Sequence, residues 1–182
     1  MKKQFILLTS LFLFLGLHVI NAQATQQECT IKYNLFKGDY QSKKYDDAFP
    51  NWIYLMDNCP TLSINIYKLG DKLTEARFKK ATNKTEALVL VKRVYKQRLE
   101  YFPSKDPAKV HSDYATFLVK NKLATDDEVF EILELAYSID PTRMGVKNIY
   151  RYFQGITDAN KDTNPQKVFD TYDDVLESVG EK

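Results

Sequence analysis

The sequence predicts an all-α protein built from antiparallel helical hairpins. Three observations carry that expectation. Apolar residues recur at spacings of three and four along most of the chain, and no segment alternates with period two for long enough to make a strand. Helix-start signals stand in front of several of those stripes. The links between stripes are short, which favours antiparallel neighbours. Composition agrees. With 44% hydrophobic and 27% charged residues, and only six Gly and six Pro in 182, the chain has the make-up of a folded protein with a core. Disorder, collagen and low complexity are excluded as readings of the whole.

The first element is an address. Lys2 and Lys3 open a basic segment, and Phe5 to Ile20 is an almost wholly apolar run of 16 residues. Asn21-Ala22-Gln23-Ala24 then puts small residues at the two positions a signal peptidase reads. This is the layout of a secretory signal peptide, with cleavage expected after Ala24, or after Ala22 as the alternative. The run falls short of the roughly 20 residues a spanning helix needs. Cys29 follows Gln26-Gln27-Glu28, which is no small-residue lipobox. The domain reading is therefore 1–24 signal peptide and 25–182 helical domain. Removing the signal takes away two Lys and no acid, so the mature chain sets its 24 acids against an equal number of bases. A balanced chain has no global pull on nucleic acid or an anionic membrane. No second apolar run reaches membrane length.

Eight helices are expected after it, at about 29–41, 45–58, 62–80, 84–102, 107–121, 126–139, 143–157 and 165–179. The second contains Pro50, which cannot donate to the Asp46 carbonyl, so a kink or a late start is expected there. The fourth carries the stripe Leu88, Val91, Tyr95, Leu99 and Phe102. In the fifth, Asp106-Pro107 puts a cap residue before a Pro at the first helical position, and Val110, Tyr114, Phe117 and Leu118 follow. The sixth opens with Thr125-Asp126-Asp127-Glu128, a capping box, and carries Val129, Leu133, Ala136 and Tyr137. The seventh carries Val146, Ile149, Tyr150, Phe153 and Ile156. The eighth follows Asn164-Pro165, carries Val168, Tyr172, Val175, Leu176 and Val179, and meets Gly180 where a left-handed residue would end it.

The even-numbered helices end alike. Cys59-Pro60, Phe102-Pro103 and Asp140-Pro141 each close an amphipathic helix with Pro, at a loose period near 40 residues. Two helices per unit at that period point to a helical solenoid, in which stacking buries what one pair cannot. Ala48, Trp52, Leu55 and Pro60, with Tyr45 ahead of them, and Val129, Leu133, Ala136 and Pro141 follow spacings of 4, 3 and 5. Ile66, Leu69, Gly70 and Leu73 follow 3, 1 and 3, as do Val146, Ile149, Tyr150 and Phe153, and more weakly Tyr33, Phe36, Lys37 and Tyr40. In these motifs the chain resembles the tetratricopeptide repeat family, over about residues 29–156. It departs in a period longer than the family's 34 and in large residues at several small-residue positions. The resemblance implies a short, divergent right-handed superhelix, similar to the N-terminal part of exported repeat proteins of Gram-negative bacteria. Another all-α bundle is the alternative architecture.

The mature chain holds two cysteines, Cys29 and Cys59. In an exported protein an even count favours a disulfide over two buried thiols. An antiparallel first hairpin would bring the start of its first helix beside the end of its second, where these two residues stand.

Chemistry is harder to find. His111 is the one mature His, and its neighbours Ser112 and Asp113 do not face it on a helix. Asp46-Asp47 and Asp126-Asp127-Glu128 lie at helix starts, where the dipole favours acids. Asp173-Asp174 reads as a solvated face, and so do Lys79-Lys80, Lys84 and Lys92-Arg93 beside Glu75 and Glu86. There is no Gly-rich phosphate loop, no Cys-x-x-Cys and no His-x-x-x-His. The expectation is a protein that is not an enzyme and needs no cofactor or metal.

What remains is surface. In repeat solenoids the first helix of each pair lines the concave side. That register projects Tyr67, Asp71 and Glu75 inward from the second pair, and Lys147, Arg151 and Gln154 from the fourth. Some tetratricopeptide members use a basic pair like Lys147 and Arg151 to hold a partner's C-terminal carboxylate. The functional expectation is an exported scaffold, in the periplasm or cell envelope, that binds a protein or peptide through its concave face. The alternative is a small-ligand or glycan-binding helical protein of nutrient-capture type, motivated by the 12 Tyr. Few obvious partners exist for the last stripe, which leaves self-association through 165–179 open.

Overall fold

The computed structural model describes residues 24–180; the signal segment lies, up to residue 23, outside them. Among the described residues the protein is all-helical, with α1 (Gln26–Gln41), α2 (Tyr45–Asn58), α3 (Asn65–Lys80), α4 (Lys84–Tyr101), α5 (Pro107–Asn121), α6 (Asp126–Ile139), α7 (Val146–Asn160) and α8 (Pro165–Gly180). Consecutive helices pair into four hairpins, α1–α2, α3–α4, α5–α6 and α7–α8, and each hairpin packs on the next.

The caps explain most of the boundaries. The Thr25 hydroxyl accepts from the Glu28 amide at 3.1 Å, which starts α1 three residues before the expected Cys29. The capping box of α6 is complete: the Glu128 amide donates to Thr125 Oγ1 at 3.2 Å, and the Thr125 amide to Glu128 Oε2 at 2.8 Å. Before α7 the expectation fails for a local reason. Asp140 Oδ1 accepts from the Thr142 amide at 3.0 Å and folds Pro141–Arg143 into a 3₁₀ turn. Gly145, at φ +79°, then separates that turn from α7, which begins at Val146 and runs on to Asn160. Pro50 neither ends nor delays α2, which runs continuously from Tyr45. Gly180 is the last residue of α8 and not a left-handed cap.

The three Pro closures fold as a group. Cys59, Phe102 and Asp140 are the C-caps of α2, α4 and α6, at φ −136°, −134° and −167°. A following Pro disfavours the helical region for the residue before it: Asp140 is extended, at ψ 99°, while Cys59 and Phe102 stop short of the extended region, at ψ 43° and 54°. Cys59 is also bridged to Cys29, with Cα atoms 5.9 Å apart, so the disulfide ties the start of α1 to the end of α2.

The core is segmented in chain order. One cluster joins the first two hairpins through Phe36, Trp52, Leu55, Met56, Ile66, Tyr67, Leu73 and Val94. A second joins α3–α4 to α5 through Phe78, Val91, Tyr95, Val110, Phe117 and Leu118. A third joins α5–α6 to α7 through Ala115, Val129, Leu133, Ala136, Ile149, Tyr152 and Ile156. Two glycines set the approach between hairpins. A Cβ on Gly70 would collide with the Trp52 indole, and one on Gly155 with the Phe130 ring. Trp52, fully buried, also donates its Nε1–H to the Ile66 carbonyl at 2.9 Å.

Candidate functional site

The odd-numbered helices are joined along one side by polar contacts. From α5, Lys120 reaches Glu75 of α3 at 2.7 Å. From α7, the buried Asn148 side chain donates to the Ser112 carbonyl at 2.9 Å and to Thr116 Oγ1 at 2.8 Å, both on α5. Ser112 in turn donates its hydroxyl to the Met144 carbonyl. The residues expected to face a partner stand on this row, and the structure sorts them into two places.

On α3, all three are engaged with the next helices. Tyr67 is a correction to the sequence reading: it is fully buried and points into the core, not toward a ligand. Its hydroxyl donates to the Pro60 carbonyl at 2.9 Å, its ring meets Phe102 edge-on, and burial pushes its phenol well above the usual range. Asp71 accepts from the Tyr95 hydroxyl at 2.7 Å. Burial raises its carboxyl, and the Tyr95 hydrogen bond works against that rise. Near it lies Arg98, only 6% exposed, whose Nε has no hydrogen-bond partner among the described residues. Glu75 takes both Lys120 and, at 3.3 Å, Lys79, and the Lys120 hydrogen bond leads in lowering its carboxyl.

On α7 the picture differs. Lys147 and Gln154 are exposed and Arg151 is half-buried. Arg151 donates from Nη1 to Asn148 Oδ1 at 2.8 Å, so one edge of its guanidinium is fixed by the α5–α7 network. Arg151 and Gln154 line a cleft of about 530 Å³ between α6 and α7, and Lys147 does not. The floor is Val129, Phe130 and Leu133 with Val119 from α5, and the rim carries Asp126, Asp127 and Asp158.

Each wall has a local origin. The capping box holds the start of α6 in place, and its first turn tolerates Asp126 and Asp127 because the helix dipole favours acids there. Phe130 lies over Gly155 and stacks on Tyr152 at 5.8 Å between centroids, and Tyr137 stacks on the same ring at 4.2 Å. Among the described residues Asp158 pairs only with the exposed Lys161, at 3.5 Å. Asp126 and Asp127 have no ion-pair partner among the described residues. With Asp126 and Asp127 unpaired among the described residues, and Asp158 sharing its charge with Lys161, against one guanidinium, the cleft favours a positively charged occupant over a carboxylate.

The other singled-out residues have local partners. Ser112 and Asp113, beside His111, point elsewhere: the first to Met144, the second to Lys109 Nζ at 2.7 Å. Burial lowers the His111 imidazole. Just ahead of the basic run, Arg77 pairs with Asp46 at 3.0 Å and lies 3.8 Å over the Phe49 ring. Arg93 pairs with Asp57, and Lys84 donates to the Lys79 carbonyl at 3.0 Å. A cleft of about 370 Å³ between α3 and α4 includes Arg77, Lys80, Asn83 and Glu86. Among the described residues no group of three or more His, Cys, Asp or Glu is arranged to hold a metal, and no helix is long and apolar enough to cross a membrane.

Sequence reasoning missed Gly155, Phe130 and Asn148. The signal for the first was present, a single small residue inside a stripe of large ones. No protein family, curated protein or solved structure matches this chain.

Proposed function

We propose that this chain is an exported, non-enzymatic helical-repeat scaffold of the cell envelope that binds a segment of another protein. Its hairpins would follow a divergent, tetratricopeptide-like right-handed superhelix. The observation that carries the binding reading is the α6–α7 cleft, with an apolar floor at Val129, Phe130 and Leu133 and aspartates on its rim. Such a cleft suits a basic segment that inserts one apolar side chain while its cations meet the carboxylates. The export reading draws on the n/h/c layout of residues 1–24, and the bridged Cys29–Cys59 pair supports an oxidising compartment. A second reading, a glycan-binding protein of nutrient-capture type, draws on the exposed aromatics Tyr150, Phe169 and Tyr172.

The test is affinity capture from an envelope extract with residues 25–182, beside an Asp127→Lys, Asp158→Lys variant. Both positions are exposed, so the variant should keep its helicity; a Lys in the first turn of α6 should lower the melting temperature by only about 1–4 °C. The expected result is one dominant protein retained by the wild type and lost by the variant. No retained protein, or equal retention by both, would sink the reading and send the search to a glycan array.

A further inference from the structure

The outer face of the last hairpin is wider in apolar surface than its neighbours cover. On α8, Thr171 and Ser178 are buried, and Val175 and Val179 pack on the third core cluster. Adjacent to that edge, Phe169, Tyr172 and Leu176 form a stripe at spacings of 3 and 4 that stays exposed, Phe169 at 65%. On α7, Val146 and Tyr150 are likewise exposed, Tyr150 at 59%, and Phe153 continues their face. The Phe153 and Tyr172 rings sit 5.9 Å apart, so the two stripes form one continuous patch. Each earlier hairpin has an apolar flank covered by the hairpin that follows; here no element among the described residues does so.

We infer that this face binds a second copy of the chain, across a two-fold axis that runs between α7 and α8 and parallel to them. Two properties of the patch select that occupant. The first is area. The five exposed side chains present on the order of 500 Å² of apolar surface, so two such patches together bury roughly the 1,000 Å² where specific interfaces begin. The second is charge. Lys147 flanks the patch on α7, while Asp173 and Glu177 flank it on α8, and none of the three has an ion-pair partner among the described residues. The Phe153–Tyr172 contact sets the antiparallel register and brings Lys147 to the level of Glu177. The proposed axis lays each α7 on the α8 of the other copy, so Lys147 meets Glu177 across the rim twice. The patch is self-complementary, as an isologous contact requires.

The test is sedimentation equilibrium of residues 25–182 over a concentration series. The expected result is a monomer–dimer equilibrium. Tyr172→Glu with Leu176→Glu should shift it to monomer with the helical circular dichroism unchanged. Lys147→Glu and Glu177→Lys should each weaken the dimer roughly tenfold, and combining them should restore it. A wild-type monomer at high micromolar concentration, or a dimer untouched by the Tyr172 and Leu176 changes, overturns the proposal. Failure of the charge swap to restore the dimer overturns the two-fold arrangement.

Discussion

At Gly70 a single hydrogen in place of a side chain decides how two hairpins meet. The Trp52 indole occupies the space a Cβ would need, and both residues are buried. Gly70→Ala must therefore push the indole away from the Ile66 carbonyl it donates to. The expected cost is about 1–3 kcal/mol, read from the urea midpoint at constant slope. Asp106 shows a different economy. It precedes Pro107 and stands at the N-cap of α5, yet at φ +66° its side chain caps nothing. It binds Arg143 instead, at 3.0 Å from Nε, and that hydrogen bond leads in holding its carboxyl below the ordinary 3.8. A depressed carboxyl contributes stability that is fully present above its unfolded value and is lost as pH falls through the folded one. Asp106→Asn should thus cost less than about 1 kcal/mol at neutral pH, since the pair is partly exposed. The gap between the two proteins should close as pH falls below 3.8, in parallel thermal melts. The residue scale is also where sequence reading erred. Tyr67, Asp71 and Glu75 do share one face of α3, as their spacing of four predicts. At Tyr67 that face is covered by the core, while Asp71 and Glu75 stay partly exposed beside Tyr95 of α4 and Lys120 of α5; single-helix periodicity cannot say what covers a face.

At the scale of elements the sequence was most legible, because the signals are local. The box Thr125–Glu128 and the Pro after Cys59, Phe102 and Asp140 act within one turn, and those boundaries agree with the structure to within a residue. The misses were local too, but of a kind the stripe does not carry. Thr25 extends α1 backward, and the Asp140 side chain with Gly145 delays α7. The disulfide belongs to this scale, since it closes the first hairpin across a separation of 30 residues. In the chain-entropy account a loop of that length is worth about 3.6 kcal/mol. Reduction should lower the melting temperature by about 10 °C. Amide exchange should quicken first in α1 and α2, while α5 to α7, which share no core cluster with the bridge, keep their protection.

The whole molecule is a row of hairpins with a core in three pieces, each shared by neighbours. This arrangement leaves two kinds of surface. The side on which the odd helices are cross-linked by Lys120–Glu75 and by Asn148 is held rigid, and the α6–α7 cleft opens beside it. The terminal flank at α7–α8 keeps the apolar width of a stacking face. The cleft was not readable from the sequence as a site, whereas the stripe over 165–179 already left self-association open. The cleft needs Phe130 to meet Gly155, a match between positions on different helices, and its acids double as helix-start residues. Arg151 and Gln154, named from the exposed side of the α7 stripe, line the cleft, whereas Lys147 falls outside it and beside the terminal patch. The most direct test of the binding account is hydrogen–deuterium exchange of residues 25–182, alone and with the protein retained in the capture experiment. The account predicts new protection confined to the first half of α6 and the second half of α7, around Phe130 and Gly155. Protection on α1 to α4 instead, with the α6–α7 cleft unchanged, would contradict it.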